Sequence, residues 1–249
     1  MNIQPRLVEV RRKVMKQNDL LATALRERFR EAEVYVVSLV SSPGSGKTTF
    51  LERSLTALRP LCRVAALVGD LATDNDAARL ARSQVPVRQI NTGTLCHLDA
   101  AMIEGALADW DLNEMDILFI ENVGNLVCPS GYDLGEDLRI ALISVTEGED
   151  KPLKYPTIFN SADVAVITKA DLAEAAEFDA SAANNNIQSV RPGMPVFRVS
   201  AKTGEGMEEL LRFLASRIAD SRPGEIGDQL ALHLDERLRV RITVSAGHE

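Results

Sequence analysis

The residues best suited to chemistry form one contiguous run, Ser41-Ser42-Pro43-Gly44-Ser45-Gly46-Lys47-Thr48. An apolar stretch, residues 34–40, precedes it, and a helical pattern opens at Thr49. A strand feeding a small-residue loop, then Lys-Thr and a helix, is the arrangement that holds phosphate. Successive backbone N–H groups curl around phosphate oxygens, and the helix N-terminus adds partial positive charge. Pro43, Gly44, Ser45, Gly46 and Thr49 would build this loop. Lys47 would reach the terminal phosphates, and the Thr48 hydroxyl would ligate Mg²⁺. The general pattern places Gly five residues before Gly46, where this chain has Ser41.

Base choice is read further along. Asp171 closes Thr168-Lys169-Ala170-Asp171 at a strand end. A carboxylate there accepts from the guanine N1–H and exocyclic amine, a donor pair adenine lacks. The loop Ser200-Ala201-Lys202 looks like the second guanine-contacting element of GTPases, so Lys169, Asp171, Ser200, Ala201 and Lys202 point to GTP/GDP. Where such an element has Asn this chain has Thr168, which keeps a hydroxyl and loses a carboxamide. Hydrolysis needs Mg²⁺ ligands and an oriented water. Lys47, Asp70, Asp76 and Glu121 are the candidate catalytic set, with Thr48, Asp70, Asp76 and Glu121 around magnesium. Glu121 ends an apolar strand as a Walker B acid does, Asp70 is expected to face the phosphates, and Asp76 to bind metal or move with a switch. Asp74 reads more simply as a helix cap.

A second constellation is Cys96-His97 with Cys128. Three soft or borderline ligands suit Ni²⁺ or Zn²⁺ with incomplete coordination, completed by water or by a second subunit on a two-fold axis. The plainer alternative is a buried thiol beside an imidazole that caps a helix. Cys128 follows Glu121 by seven residues, so a change at the γ-phosphate would reach it through a short segment. Cys62 reads as core filling.

These groups need positioning elements. Leu7, Val10, Val14, Leu21 and Leu25 recur at helical spacing before the first strand. Apolar strands then alternate with helices, each strand ending in one of the polar motifs. That predicts a doubly wound, mostly parallel α/β sheet of the P-loop NTPase kind, helices on both faces and ligands at the strands' C-terminal ends. An Ala- and Glu-rich helix is expected just after Asp171. A GTPase domain over residues 1–220, with the helix of 1–32 packed on it, would be followed by an extension at 221–249. There Leu230, Leu232 and Leu234, then Leu238, Val240, Ile242 and Val244, alternate as in a strand or hairpin. An added edge hairpin is the first reading, a strand pairing with another chain the second.

The 249 residues, 45% hydrophobic, suffice for one full core, and the net charge of -8 with no basic run argues against nucleic acid. No apolar run has membrane-spanning length and no secretory h-region is seen, so the expected home is cytoplasmic with reduced thiols.

Taken together, the chain resembles the hydrogenase nickel-incorporation GTPases (HypB-type) of the SIMIBI class, from about Val10 to Ala219. The resemblance is carried by residues 41–49, Gly69 to Asp76, Thr92 to Ala100, Glu121 to Pro129 and Gly148 to Pro156. Ser41 belongs to it, since that family's loop looks like Ser-Ser-Pro-Gly-Ser-Gly-Lys-Thr. It implies slow regulatory GTP hydrolysis and GTP-dependent homodimerisation, with nickel or zinc held by Cys96, His97 and Cys128 at the interface. It also implies a HypA-type metallochaperone partner and delivery to the hydrogenase large subunit precursor. Lys151 and Lys154 look placed to touch nucleotide or the partner subunit. The Cys-x-x-Cys-Gly-Cys and His-rich N-terminal tracts of many members do not occur here. A urease or cobalamin-enzyme GTPase chaperone is the alternative, although the Cys-Pro-His and Cys-x-Cys-Cys motifs of those relatives fit Cys96-His97 poorly. An ATP-dependent small-molecule kinase would make Asp171 and Ser200 coincidental, and a metal adaptor with a vestigial nucleotide site would leave Lys47, Thr48, Asp70 and Glu121 without a role.

Overall fold

In the computed structural model, residues 5–70, 79–221 and 232 are described, with side chains from residue 13 onward. Asp74, Asp76 and nearly all of the C-terminal extension lie outside the described residues. Seven strands form one sheet: β1 (Tyr35–Ser41), β2 (Val64–Asp70), β3 (Val87–Asn91), β4 (Ile117–Glu121), β5 (Leu138–Ser144), β6 (Val164–Thr168) and β7 (Val196–Arg198). Their order is β3-β2-β4-β1-β5-β6-β7, and every pairing is parallel. Sequence patterning had suggested a mostly parallel sheet; the described sheet is wholly so.

Strands buried on both faces carry apolar residues of both parities, which is why β1, β4, β5 and β6 read as continuous hydrophobic runs. The parity decides the partner. Val37, Leu39, Val68 and Phe119 face α2 (Lys47–Leu58) and α7 (Met207–Ser221), packing on Phe50, Leu55, Leu210 and Leu214. Val36, Leu67, Leu118 and Ile120 face the opposite way, onto Leu25 and Phe29 of α1 (Pro5–Glu31) and Ile103 of α3 (Ala100–Ala106). Val40, Ile143 and Ile167 meet Phe159 of α5 (Pro156–Ser161) and Ile187 of α6 (Ala180–Val190); the short α4 (Lys151–Lys154) precedes them. Phe29 is fully buried, and truncating it to Ala should cost about 3–5 kcal/mol. The doubly wound arrangement is therefore the expected one, with α1 lying on the sheet.

One element differs from expectation. Residues 173–177 form turns rather than an Ala/Glu helix. Glu177 takes a left-handed backbone (φ 50°), and the Phe178 N–H closes on the Ala173 carbonyl at 2.9 Å, ending any helix there. The helix starts only at Ala180, where the Asp179 carboxylate accepts from the N–H groups of Ser181 and Ala182.

The strand order sets the function. Because β4 and β5 flank β1, the loop leaving β1 sits at the middle of the sheet's C-terminal edge. Loops from β6 and β7 lie to one side of it, and those from β3 and β4 to the other.

Candidate functional site

Gly46 caps α2 with φ 86°, a conformation open to glycine, and contributes no side-chain cap. The first-turn N–H groups of α2 therefore have no capping side chain and point into a cavity of about 480 Å³. Ser42 to Thr49, Asp70, Arg79, Val123, Gly124 and Lys169 line it. Lys47 Nζ donates to Glu121 Oε1 at 2.8 Å, and the Thr48 hydroxyl donates to the same oxygen at 2.7 Å. Glu121 is 1% exposed, and its Oε2 is buried without a hydrogen-bond partner, as is the Ser45 hydroxyl. Two orphaned oxygens beside a phosphate-sized cavity are what a missing ligand leaves. The donor set of a hydroxyl and a carboxylate with a free oxygen suits a hard cation such as Mg²⁺. Asp70 lines the cavity, whereas Asp76 lies outside the described residues.

A smaller cavity of about 180 Å³ adjoins the first, sharing Gly46, Thr49 and Lys169. Asp171, Ser200, Ala201 and Lys202 line it, so every residue expected at the base comes together there. The Ser200 hydroxyl donates to Asp171 Oδ1 at 2.6 Å, which fixes the carboxylate. Lys169 Nζ donates to the Gly44 carbonyl at 2.8 Å. Thr168 finds its explanation in the same contact zone. Its hydroxyl lies 2.5 Å from the Ser45 carbonyl and 3.1 Å from that of Ile143, tying the base loop to the phosphate loop. Ser41, fully buried, donates to the Ser42 carbonyl at 2.9 Å and stabilises the turn from within.

On the other flank, Cys96, His97 and Cys128 converge, their ligand atoms all within 4.8 Å of one another. The sulfurs of Cys96 and Cys128 lie 2.7 Å apart with no disulfide between them, and Cys96 Sγ is 4.0 Å from His97 Nδ1. Metal–sulfur bonds near 2.3 Å to one shared ion need the two sulfurs farther apart than this, so a bound ion would spread the pair. All three side chains are half-buried, so the cluster is partly open to solvent. Partial burial pushes the His97 pKa down, with Asp99 opposing, which favours the neutral imidazole a metal needs. Asp99 also caps α3 through the Met102 N–H, so the capping role falls to Asp99 rather than His97. Cys62 is a different kind of thiol: it packs against the core, and burial pushes its pKa to about 12.

Three residues not nominated for a site role pack along the segment between the two sites or against the cysteine–histidine cluster. Asn122, 1% exposed, accepts from the Leu98 N–H at 3.0 Å and the Val123 N–H at 2.9 Å, joining the loop of Cys96 and His97 to the loop of Cys128 directly behind Glu121. Tyr132 stacks on His97 with ring centroids 3.9 Å apart. Gly124 lies so close to Pro43 that a Cβ would sit 3.1 Å from its backbone. The segment from Glu121 to Cys128 thus touches the phosphate loop at one end and carries one member of the Cys96, His97 and Cys128 cluster at the other. Asn122 was adjacent to the strand-end acid, a position that could have marked it; Tyr132 had no distinguishing signal. Lys154 pairs with Asp150 at 2.6 Å, Lys151 lies 3.8 Å from Glu147, and neither lines the two cavities. Glu147 in turn accepts from the Ser42 hydroxyl.

Residues 35–198 match the family model described as CobW/HypB/UreG, nucleotide-binding domain. The hydrogenase maturation factor HypB of Azotobacter vinelandii is 48% identical over 211 residues, 85% of this chain and 70% of the relative. The hydrogenase/urease maturation factor HypB of Helicobacter hepaticus is 43% identical, covering 88% of this chain and 92% of the relative. Among solved structures, HypB from Helicobacter pylori in complex with nickel superposes with a TM-score of 0.78 at 44% identity, over 82% of this chain and 96% of that one.

Proposed function

Because this chain belongs to the CobW/HypB/UreG nucleotide-binding family, matching HypB maturation factors over most of its length, we propose that it is a metal-regulated GTPase that gates nickel insertion during [NiFe]-hydrogenase maturation. The observation that carries the reading is the Glu121–Cys128 segment, which links a phosphate cavity to a three-ligand metal cluster.

GTP enters with its phosphates on the loop of residues 42–49 and its base against Asp171. The aspartate is presented by Ser200, and Thr168 keeps base loop and phosphate loop in fixed register. Mg²⁺, held by Thr48 and Glu121 with Asp70 and Asp76 nearby, would neutralise phosphate charge. Lys47, now shared with Glu121, reaches the terminal phosphates. Glu121 is thereby drawn into the nucleotide's charge, and Asn122 next to it moves with the backbone. That residue holds Leu98, so a shift there alters the spacing of His97 and Cys128. Nickel is the cargo, gripped by Cys96, His97 and Cys128, with water or the same residues of a second subunit completing the shell. Zn²⁺ accepts the same donors. GTP would favour the homodimer and hydrolysis would release it, with a HypA-type metallochaperone and the hydrogenase large subunit precursor upstream and downstream. Residues 1–220 act as the GTPase unit and 221–249 as an extension to it.

Three Helicobacter relatives are named hydrogenase/urease maturation factors, which favours urease as the second enzyme class served. The test is nickel stoichiometry and mass in solution with GDP or a non-hydrolysable GTP analogue, for wild type and Cys128→Ser. GTP-state dimers carrying extra nickel that the variant loses are expected. Nickel binding indifferent to both nucleotide and Cys128 would overturn the reading.

A further inference from the structure

The phosphate cavity contains three cations, and two of them are engaged with the loop machinery itself. Lys47 is paired with buried Glu121, and Lys169 donates to the Gly44 carbonyl. The third, Arg79, is held differently. Its Nε donates to Glu52 Oε2 of α2 at 2.9 Å, and 41% of the Arg79 side chain and 23% of that of Glu52 stay accessible. Such a solvent-facing pair contributes about 0–1 kcal/mol, so the guanidinium can change partner at little cost. Its backbone is anchored. The neighbouring Leu80 is fully buried and packs in the same cluster as Phe50 and Leu51 of α2. A fixed base with an exchangeable head is the form a phosphate-contacting arginine requires.

Hydrolysis sets the demand. A water oxygen forms a bond to the γ-phosphorus while the bond to the β–γ bridging oxygen breaks, leaving its electron pair on GDP and the water's protons on the released phosphate. Charge grows on that bridge and persists on the γ-oxygens, and a planar guanidinium with parallel N–H donors matches it better than an ammonium. We propose that Arg79 is a catalytic residue of this chain: on GTP binding it exchanges Glu52 for the γ-phosphate and the bridging oxygen. Glu52 is then its resting partner and withholds it when only GDP is present. This rests on the GTPase reading above.

The experiment compares wild type, Arg79→Ala, Arg79→Lys and Glu52→Gln. It measures single-turnover GTP hydrolysis, dissociation constants for GDP and a non-hydrolysable GTP analogue, and thermal midpoints. Arg79→Ala should lose about 10²–10³-fold in rate, the usual cost of one donor to developing charge. Its GDP affinity should stay within about twofold and its midpoint near wild type, because only an exposed pair is removed. Arg79→Lys should recover a small part of the rate, since it keeps charge and loses the fork. Glu52→Gln should tighten the GTP analogue relative to GDP by removing the competitor. Arg79→Ala hydrolysing at the wild-type rate would overturn the proposal alone. So would a rate loss matched by equal losses of GDP affinity and midpoint, the mark of a merely structural pair. A wild-type protein that leaves GTP intact removes the underlying reading, and the proposal with it.

Discussion

The nucleotide end and the metal end of the sheet's C-terminal edge are built to different standards. At the nucleotide end, side chains are bonded to one another before any ligand arrives, around buried Glu121, Thr168 and Ser200: Lys47 and Thr48 to Glu121, Thr168 to Ser45, Ser200 to the more exposed Asp171. At the metal end, Cys96, His97 and Cys128 are half-buried, and exposed Leu95 and Val127 flank the two cysteines. The first region is a consequence of the fold, since strand ends and a helix N-terminus supply it. The second is made by loops and is left open. A site complete in itself binds in every state of the molecule, whereas an incomplete one responds to whatever moves its loops or adds a ligand. The difference is what a switch needs: a rigid input and a compliant output.

The largest effect that separates the two ends is in stability. Glu121→Ala leaves Lys47 buried without its carboxylate, their side chains being 10% and 1% exposed, and breaking such a pair costs about 3–5 kcal/mol. Cys128→Ser, in a half-buried loop, should change the metal-free protein by less than about 0.5 kcal/mol. Urea unfolding without nucleotide or metal measures both. Equal losses in the two variants would erase the distinction between a prebuilt and a compliant site.

A second measurement sharpens the contrast through base choice. Asp171→Asn keeps an acceptor for the Ser200 hydroxyl, so the loop keeps its shape, but it replaces a carboxylate oxygen with a donor. Hydrogen bonds to a charged partner contribute about 1.5–3 kcal/mol, so GTP affinity should fall roughly 10- to 100-fold. Xanthosine triphosphate, with a carbonyl where guanine has an amine, should gain. Competition binding reads this, with nickel affinity of the metal end unchanged. Parallel losses for both nucleotides would mean that the loop collapsed and that the end is less rigid than its hydrogen bonds indicate.

The same contrast explains what could be read from the residues alone. The apolar runs of β1, β4, β5 and β6 announce a doubly covered sheet, because burial on both faces forces hydrophobic residues at both parities. The phosphate loop and Asp171 are local motifs whose roles follow from geometry built into a strand end, so they were legible. Cys96, His97 and Cys128 could be nominated by type, but their convergence depends on β3 and β4 lying on the same side of β1, which spacing does not encode. Arg79 and Tyr132 act across chain separations, and no residue type gives them away. The Ala/Glu segment after Asp171 misled for the opposite reason. Its helix propensity is real but weak, and the Asp179 cap with left-handed Glu177 set the boundary instead.

The smallest effect tests whether the compliant end has any internal order. Tyr132 stacks on His97 with centroids 3.9 Å apart and planes tilted by 29°, and it follows the turn that carries Cys128, so it helps to orient the imidazole relative to that cysteine. Partners that orient a metal-binding histidine are typically responsible for 10- to 100-fold in affinity. The stack has no hydrogen bond to the ring, so Tyr132→Ala should weaken Ni²⁺ binding toward the lower limit, about 10-fold. The sign of the accompanying titration is set. Burial lowers the His97 pKa, and removing the stacked ring admits water, so the metal-free pKa should rise toward its ordinary value. Protons then compete with nickel up to a higher pH than in the wild type. An NMR titration of His97 and nickel binding followed across pH would read both. The GTP affinity of Tyr132→Ala should match wild type, because the ring lies outside the phosphate and base cavities. If nickel affinity and the His97 titration both stay put, the stack is incidental, and the metal end owes its geometry to Asn122 and the backbone alone.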